Sequence, residues 1–264
     1  MTDSHETALT PRNVLVMAGV GVLAGFLSGL FGIGGGTIIV PTLVWCGMTQ
    51  RNAAATSLAA IVPISIVGVG SYAARGNVDW VAAILLAVGI VIGAQIGSWL
   101  LSRLPEKILQ WAFVVFLLLV IVQQFIFIPS RDSVIHLTVL SGVALVAFGV
   151  VTGILSGILG IGGGTILVPA LSLLFQASDL VARGSSLLAM FPGAISGTVS
   201  NARRRLVNVK VGLIIGVCAC VMTPLGNLVA SAVSARVNAM LFAAYLVFLL
   251  VRSLWVAAKK SNNK

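Results

Sequence analysis

The chain contains 264 residues, of which 59% are hydrophobic and 8% are charged. Soluble proteins are about 45–50% apolar and about 25% charged, so this composition excludes a water-soluble globule and indicates an integral membrane protein. The net charge is +10, and the basic residues lie in short connections between apolar runs. Because basic residues at such positions orient a chain in the bilayer, we expect no nucleic-acid partner.

Apolar runs long enough to cross a membrane recur along the whole chain. A transmembrane helix needs about 20 apolar residues. Eight runs of that size predict spanning helices at 14–32, 53–74, 80–102, 108–128, 137–159, 185–202, 211–233 and 236–257. Two shorter runs, 37–48 and 165–175, each follow a glycine cluster and predict helices of about half the membrane thickness. The predicted fold is therefore an all-α polytopic membrane protein.

The predicted spans carry few groups that could perform catalysis. No carboxylate, histidine or basic residue lies near the middle of a span, so we expect no buried titratable relay. Cys46, Cys218 and Cys220 lie in apolar segments without the spacing or companions of a zinc site, which predicts neither a metal nor a cofactor. We therefore do not expect an enzyme.

The two glycine clusters belong to an internal duplication. Residues 28–41 and 156–169 are identical at eleven of 14 positions, at an offset of 128. Downstream, the alignment of the two halves continues at an offset of 129, so that Ser57 corresponds to Ser186. The chain is thus predicted to contain two homologous repeats of four to five membrane segments each. The expected divisions are a cytoplasmic tail 1–13, repeat 1 at 14–128, a linker 129–136, repeat 2 at 137–257 and a cytoplasmic tail 258–264.

The distribution of basic residues predicts the orientation of the chain. If 14–48 and 137–175 each cross the membrane once, 11 of the 16 basic residues lie on the amino-terminal side, and if each crosses twice, 12 do. Both counts place the two termini in the cytoplasm and predict a multi-pass protein of the plasma (inner) membrane. Four crossings per half would make parallel repeats and five would make inverted ones, and the charge count leaves both open.

The glycine triplets 34–36 and 162–164 are the candidate binding site. Three consecutive glycines inside an apolar run should break the helix, because glycine lowers helix stability and permits positive φ. We expect a new helix to start at Thr37 and at Thr165, with the hydroxyl as a cap. The free amides at such a helix start can bind an anion. The candidate substrate-binding residues are Gly34, Gly35, Gly36, Thr37, Gly162, Gly163, Gly164, Thr165, Ser57 and Ser186.

The glycines allow two other interpretations. The triplets could simply permit close helix packing, which is how we interpret the upstream stripes at Gly21, Gly25 and Gly29 and at their copies in repeat 2. Contiguous triplets do not form one helical face, however, which favours a break. A nucleotide-binding loop is excluded, since no strand precedes the glycines and no lysine follows in the required position.

The duplicated motif Gly-x-x-Gly-x-Gly-Gly-Gly-x-x-x-x-Pro resembles that of the TauE/SafE family of sulfite and organosulfonate transporters. The resemblance covers nearly the whole chain and implies a bacterial-type plasma-membrane permease for sulfur oxyanions or carboxylate-bearing organic anions. The residues that match the motif are Gly32, Gly34, Gly35, Gly36, Thr37 and Pro41, with Gly160, Gly162, Gly163, Gly164, Thr165 and Pro169.

We therefore expect a transporter that exports a small anion, such as sulfite or an organosulfonate, by alternating access. An anion leaving a cell with an inside-negative potential gains about 2.3 kcal/mol per charge per 100 mV, so export needs no coupling carboxylate. An uptake permease or a passive channel for sulfur oxyanions or organic acids is the alternative within this class. A non-transporting scaffold or an intramembrane enzyme is the alternative outside it. The expected partners are the anion and the lipid bilayer, with assembly into a homo-oligomer left open.

Overall fold

The computed structural model describes residues 11–126 and 138–262, and all regular structure in these stretches is α-helical. The predicted all-α polytopic fold is confirmed, and six of the helices are long and apolar enough to cross a membrane. The predicted linker 129–136 lies outside the described residues. The helices are α1 (Pro11–Phe31), α2 (Gly36–Trp45), α3 (Gln50–Ala73), α4 (Trp80–Arg103), α5 (Glu106–Ile126), α6 (Val139–Leu159), α7 (Gly164–Leu174), α8 (Asp179–Arg203), α9 (Val209–Ala232) and α10 (Ala235–Asn262).

Polar caps fix the starts of four long helices. Thr49 and Ser178 precede α3 and α8, and each side chain accepts a hydrogen bond from a backbone amide in the first turn. Asp79 and Asn208 cap α4 and α9 in the same way. The members of each pair are 129 residues apart, so the duplication seen in the sequence extends to the helix caps.

Hydropathy located the spans but missed the start of α8. The predicted span begins at residue 185, whereas the helix begins at Asp179 because Ser178 caps it there. The additional turn contains Asp179 and Arg183, whose charges lower the local hydropathy. Both residues are nevertheless buried, so charged groups lie inside the bundle where none was expected.

Glycine stripes allow two pairs of long helices to pack closely. Gly21, Gly25 and Gly29 of α1 lie against the backbone of α9, and a Cβ at any of them would collide with a carbonyl oxygen of that helix. The corresponding glycines of α6 pack in the same way against α4. The interpretation of these upstream glycines as a packing surface is confirmed.

Helices α3 and α8, which correspond in the duplication, run antiparallel. Gly68 near the end of α3 packs against Leu187 near the start of α8, and Leu58 near the start of α3 packs against Gly197 near the end of α8. Equivalent helices that run in opposite directions are related by a two-fold axis perpendicular to them. We infer that the two halves are inverted repeats of five helices each.

The short helix α2 returns the chain to the side from which α1 started. Later residues of α1 contact later residues of α9, and the same holds for α3 and α9. Helices α1 and α3 therefore both run parallel to α9. The helix between them must therefore run in the opposite direction. At the end of α2, the Arg252 guanidinium of α10 lies 4.5 Å from the centre of the Trp45 ring. The start of α1 and the end of α10 consequently share one side of the bundle, the amino-terminal side.

Candidate functional site

Two glycine-rich breaks separate α1 from α2 and α6 from α7. The first break comprises residues 32–35 and the second comprises residues 160–163. Positive φ angles between 70° and 92° would strain any residue with a Cβ and are readily adopted only by glycine. They occur at Gly32, Gly34, Gly35, Gly160, Gly162 and Gly163. The predicted interruption of both helices is confirmed.

The helices restart one residue before the predicted position. Gly35 and Gly163 are the N-caps of α2 and α7, and neither helix has a side-chain cap. The capping role predicted for the hydroxyls of Thr37 and Thr165 is therefore wrong. The positive φ of each capping glycine turns the chain into the helix before the threonine is reached, so the threonine side chain already belongs to the first turn.

The two breaks meet inside the bundle. A Cβ on Gly36 would lie 2.6 Å from the carbonyl oxygen of Gly160, and a Cβ on Gly164 would lie 2.6 Å from that of Gly32. The side chain of Met190 packs against both breaks, and all residues of the breaks are buried. The fold thus brings together the two glycine triplets that the duplication separates by 128 residues.

Several backbone amides at this meeting point have no hydrogen-bond acceptor. Within the part of the chain that the structure describes, the amides of Gly34, Gly35 and Thr37 donate to no group, and neither do the amides of residues 162–165. Buried amides without partners are rare in folded proteins. Amides at a helix N-terminus also carry a positive partial charge, so this arrangement is chemically suited to hold an anion.

The two threonines of the site have different neighbours. The Thr37 hydroxyl lies 2.9 Å from the hydroxyl of Tyr245 on α10, close enough for a hydrogen bond. The Thr165 hydroxyl is fully buried and has no hydrogen-bond partner among the described residues. Residue 116, which lies 129 positions before Tyr245, is a phenylalanine. The hydroxyl that serves Thr37 therefore has no counterpart in the other half.

The two candidate serines link the halves at the breaks. Ser57 of α3 donates a hydrogen bond to the carbonyl oxygen of Gly160 in the second break. Ser186 of α8 donates one to the carbonyl oxygen of Gly32 in the first break, at 2.8 Å. Each hydroxyl thereby holds the first peptide carbonyl of the break contributed by the other half.

A family model described as sulfite exporter TauE/SafE matches residues 2–124 and 145–264. The chain belongs to the TauE/SafE family. This confirms the resemblance drawn from the duplicated motif. Together with its apolar helices, membership identifies the chain as a multi-pass membrane transporter.

Relatives of the TauE/SafE chain are named as probable membrane transporter proteins. One from Xylella fastidiosa (strain Temecula1) is 30% identical over 263 residues, which cover 93% of this chain and 98% of that protein. One from Haemophilus influenzae is 35% identical over 170 residues, covering 60% of this chain and 62% of that protein. YunE of Bacillus subtilis is 25% identical over 211 residues, covering 71% and 77%. No solved structure matches the chain significantly.

One charged pair at the site of this TauE/SafE transporter was missed by sequence reasoning. Arg183 and Asp179 lie one turn apart on α8 with 3.5 Å between guanidinium and carboxylate, and their side chains are only 6% and 1% exposed. Arg183 also donates a hydrogen bond to the carbonyl oxygen of Leu30, just before the first break. The expectation of no buried ionisable group is therefore wrong. The i, i+4 spacing of opposite charges is the signal that could have revealed the pair.

Proposed function

We propose that this TauE/SafE transporter binds a small anion with the free amides of the two breaks and carries it by alternating access. The observation that carries the proposal is the set of amides without acceptors where the breaks meet. Amides held in place by the fold can replace the water around an oxyanion without reorganising. Discontinuous helices in transporters with internal repeats use their N-termini in this way.

The hydroxyls around the breaks support the same proposal. Thr165 is a buried donor without a partner among the residues that the structure describes, and it can donate to an anion held by the neighbouring amides. Thr37 shares its hydrogen bond with Tyr245 and can do the same if that bond is exchanged. Ser57 and Ser186 bond to carbonyl oxygens of the breaks, which favours a role in positioning the peptide units that bind the substrate.

The arrangement of the helices supports an orientation with both termini in the cytoplasm. With five segments per half, 12 of the 16 basic residues fall on the amino-terminal side when counted along the sequence. Connections rich in Lys and Arg remain in the cytoplasm during membrane insertion. Inverted repeats place one site between two halves of opposite direction, so that either side can open to it in turn.

The proposed substrate is sulfite or an organosulfonate, and the proposed direction is export. Both ions carry several oxygens, each of which can accept a hydrogen bond from a backbone amide. The inside-negative potential drives anions outward with about 2.3 kcal/mol per charge per 100 mV. The buried charges of the described residues form a pair of opposite sign, which is compatible with transport driven by this potential.

Valine substitutions in the breaks test the site. We expect Gly35→Val or Gly163→Val to abolish sulfite transport in proteoliposomes, because both glycines have positive φ and lie among the amides that have no acceptor in the described residues. Gly47→Val is the matched control, since Gly47 also has positive φ but no atom of the described residues lies within 4 Å of its Cβ position. Wild-type sulfite flux in the two break variants, with correct insertion, would refute the proposed site.

Exchange experiments separate a carrier from a channel. A carrier that alternates between two states exchanges labelled sulfite outside for unlabelled sulfite inside, so proteoliposomes loaded with sulfite should show counterflow. A passive channel would instead give sulfite currents in planar bilayers without counterflow. The second result would exclude alternating access.

A further inference from the structure

The buried pair of Asp179 and Arg183 distinguishes the two halves of the transporter. At an offset of 129, the equivalent residues at the start of α3 are Gln50 and Ala54. Helix α3 begins at the equivalent position without either charge. At the start of α3 the Glu106 carboxylate accepts a hydrogen bond from the Gln50 backbone amide instead, and Ala54 rather than an arginine packs against the second break. Ionisable groups buried in a membrane protein are costly and are typically functional.

Arg183 lies directly beside the first break. Its Cα, Cβ and Cγ occupy the space next to Gly32, where a side chain on the glycine would collide with them. Its Nη1 donates to the carbonyl oxygen of Leu30, and its Nη2 faces Asp179 at 3.5 Å. The residue is 5% exposed, and its Nε has no hydrogen-bond partner among the described residues. A permanently charged side chain with a free donor thus lies against Gly32, the first residue of the first break.

We propose that Arg183 is an anion-binding residue of the transport site and that Asp179 is a built-in counter-ion that competes with the substrate for it. This inference rests on the proposed function and narrows the substrate to anions that present two oxygens on one group. The planar guanidinium matches two oxygens of one group, as in a sulfonate, sulfite or carboxylate, better than a spherical ion such as chloride. In the empty transporter Asp179 compensates the arginine, and a bound oxyanion takes over part of that compensation.

If Asp179 competes with the substrate for Arg183, removing its charge should strengthen anion binding. A purely structural ion pair predicts no such gain. Replacing the carboxylate by an amide leaves the guanidinium uncompensated, so Asp179→Asn should bind sulfite about tenfold more tightly than the wild type. Asp179→Asn/Arg183→Gln removes both charges together and should bind sulfite roughly ten- to a hundredfold more weakly. Arg183→Lys keeps the charge but loses the two-pronged geometry and should discriminate less between methanesulfonate and chloride.

Binding is measured on the purified full-length protein by calorimetry with sulfite and methanesulfonate, and by the rise of the unfolding temperature with anion concentration. The unfolding temperature of Asp179→Asn should increase more steeply with sulfite than that of the wild type. Arg204→Gln is the control, since Arg204 bonds to Ser102 in an exposed contact at the opposite end of α8 from Arg183, and its sulfite affinity should be unchanged.

The outcomes separate this inference from the proposed function. Wild-type sulfite affinity in the double variant, or weaker binding in Asp179→Asn, would overturn the role of the pair while the amides could still bind the anion. If the double variant does not fold, Asp179→Asn alone decides between competition and structure. If the wild-type protein binds neither sulfite nor methanesulfonate, the proposed function itself fails.

Discussion

Thr37 and Thr165 occupy equivalent positions in the duplication, yet only one of them has a hydroxyl neighbour. Thr37 lies 2.9 Å from the phenol oxygen of Tyr245, whereas the Thr165 hydroxyl is buried without a partner in the described residues. The ion pair of Arg183 and Asp179 lies beside the first break, and the described residues place none beside the second, so the two breaks have chemically different surroundings. The halves share a backbone arrangement but differ in the side chains that an anion would meet.

Removing the tyrosine hydroxyl tests this difference at the residue scale. We expect Tyr245→Phe to lower the free energy of unfolding by about 1 kcal/mol, the typical net contribution of a buried hydrogen bond. Thermal unfolding of the purified protein measures the change. Phe116→Tyr is the matched variant in the other half and should not destabilise by the same amount. An unchanged unfolding temperature in Tyr245→Phe would show that the Thr37 contact contributes nothing.

The conformation of a single residue could be predicted where it depends on that residue alone. The glycine triplets predicted the breaks, because positive φ depends on the absence of a Cβ at the residue itself. The cap was assigned wrongly to Thr37, since the sequence does not show that Gly35 turns the chain first. The partners of Ser57 and Tyr245 lie more than 100 positions away, and no sequence pattern indicates such contacts.

Close contact of glycine stripes holds the long helices together at the scale of elements. Helices α1 and α9 approach so closely that a Cβ on Gly25 would overlap the carbonyl group of Ala219. The same packing recurs between α6 and α4. In a membrane, where apolar association gives little driving force between helices, such close packing supplies much of the stability.

A larger residue in a stripe should force two of these helices apart. We expect Gly25→Val to destabilise the protein by about 2–3 kcal/mol, the upper range for overpacking, because the clash is with backbone that cannot move aside. Gly19→Val on the same helix is the control, since its Cβ position has no neighbour within 4 Å in the part of the chain that the structure describes. The yield of monodisperse protein and the unfolding temperature should fall only for Gly25→Val, and equal effects of both would contradict this role.

Hydropathy predicted most helices, and the start of α8 is the exception. The half-membrane lengths of α2 and α7 followed from the short apolar runs after the glycines. The start of α8 was missed because hydropathy treats charged residues as solvent-exposed, whereas Asp179 and Arg183 neutralise each other inside the bundle. Opposite charges one turn apart are typical of a helix, and this pattern would have moved the predicted start of α8 towards Asp179.

The symmetry between the two halves determines the topology at the scale of the whole molecule. The sequence showed the duplication but left its symmetry open, because the two ways of crossing place 11 or 12 of the 16 basic residues on one side. The antiparallel contacts of α3 with α8 favour inversion. They also indicate that α2 leads back to the side on which α1 begins.

Cysteine labelling distinguishes the two topologies. Cys46 is exposed at the end of α2, on the amino-terminal side in the inverted arrangement. A membrane-impermeant maleimide should therefore label it in inside-out vesicles and not in intact cells. Cys46→Ser should abolish the signal and so identify the labelled residue. Labelling from the cell exterior would contradict either the re-entrant path of α2 or the cytoplasmic location of the termini.

The hydrogen bonds of Ser57 and Ser186 cross from one half to the other. A half produced by itself would lack the hydroxyl that orients its own peptide turn, because that group is supplied in trans. Separately expressed halves should thus show no affinity for cargo until they associate. The polypeptide thus corresponds to two covalently joined, unlike subunits, and the meeting point of the breaks is formed by both of them.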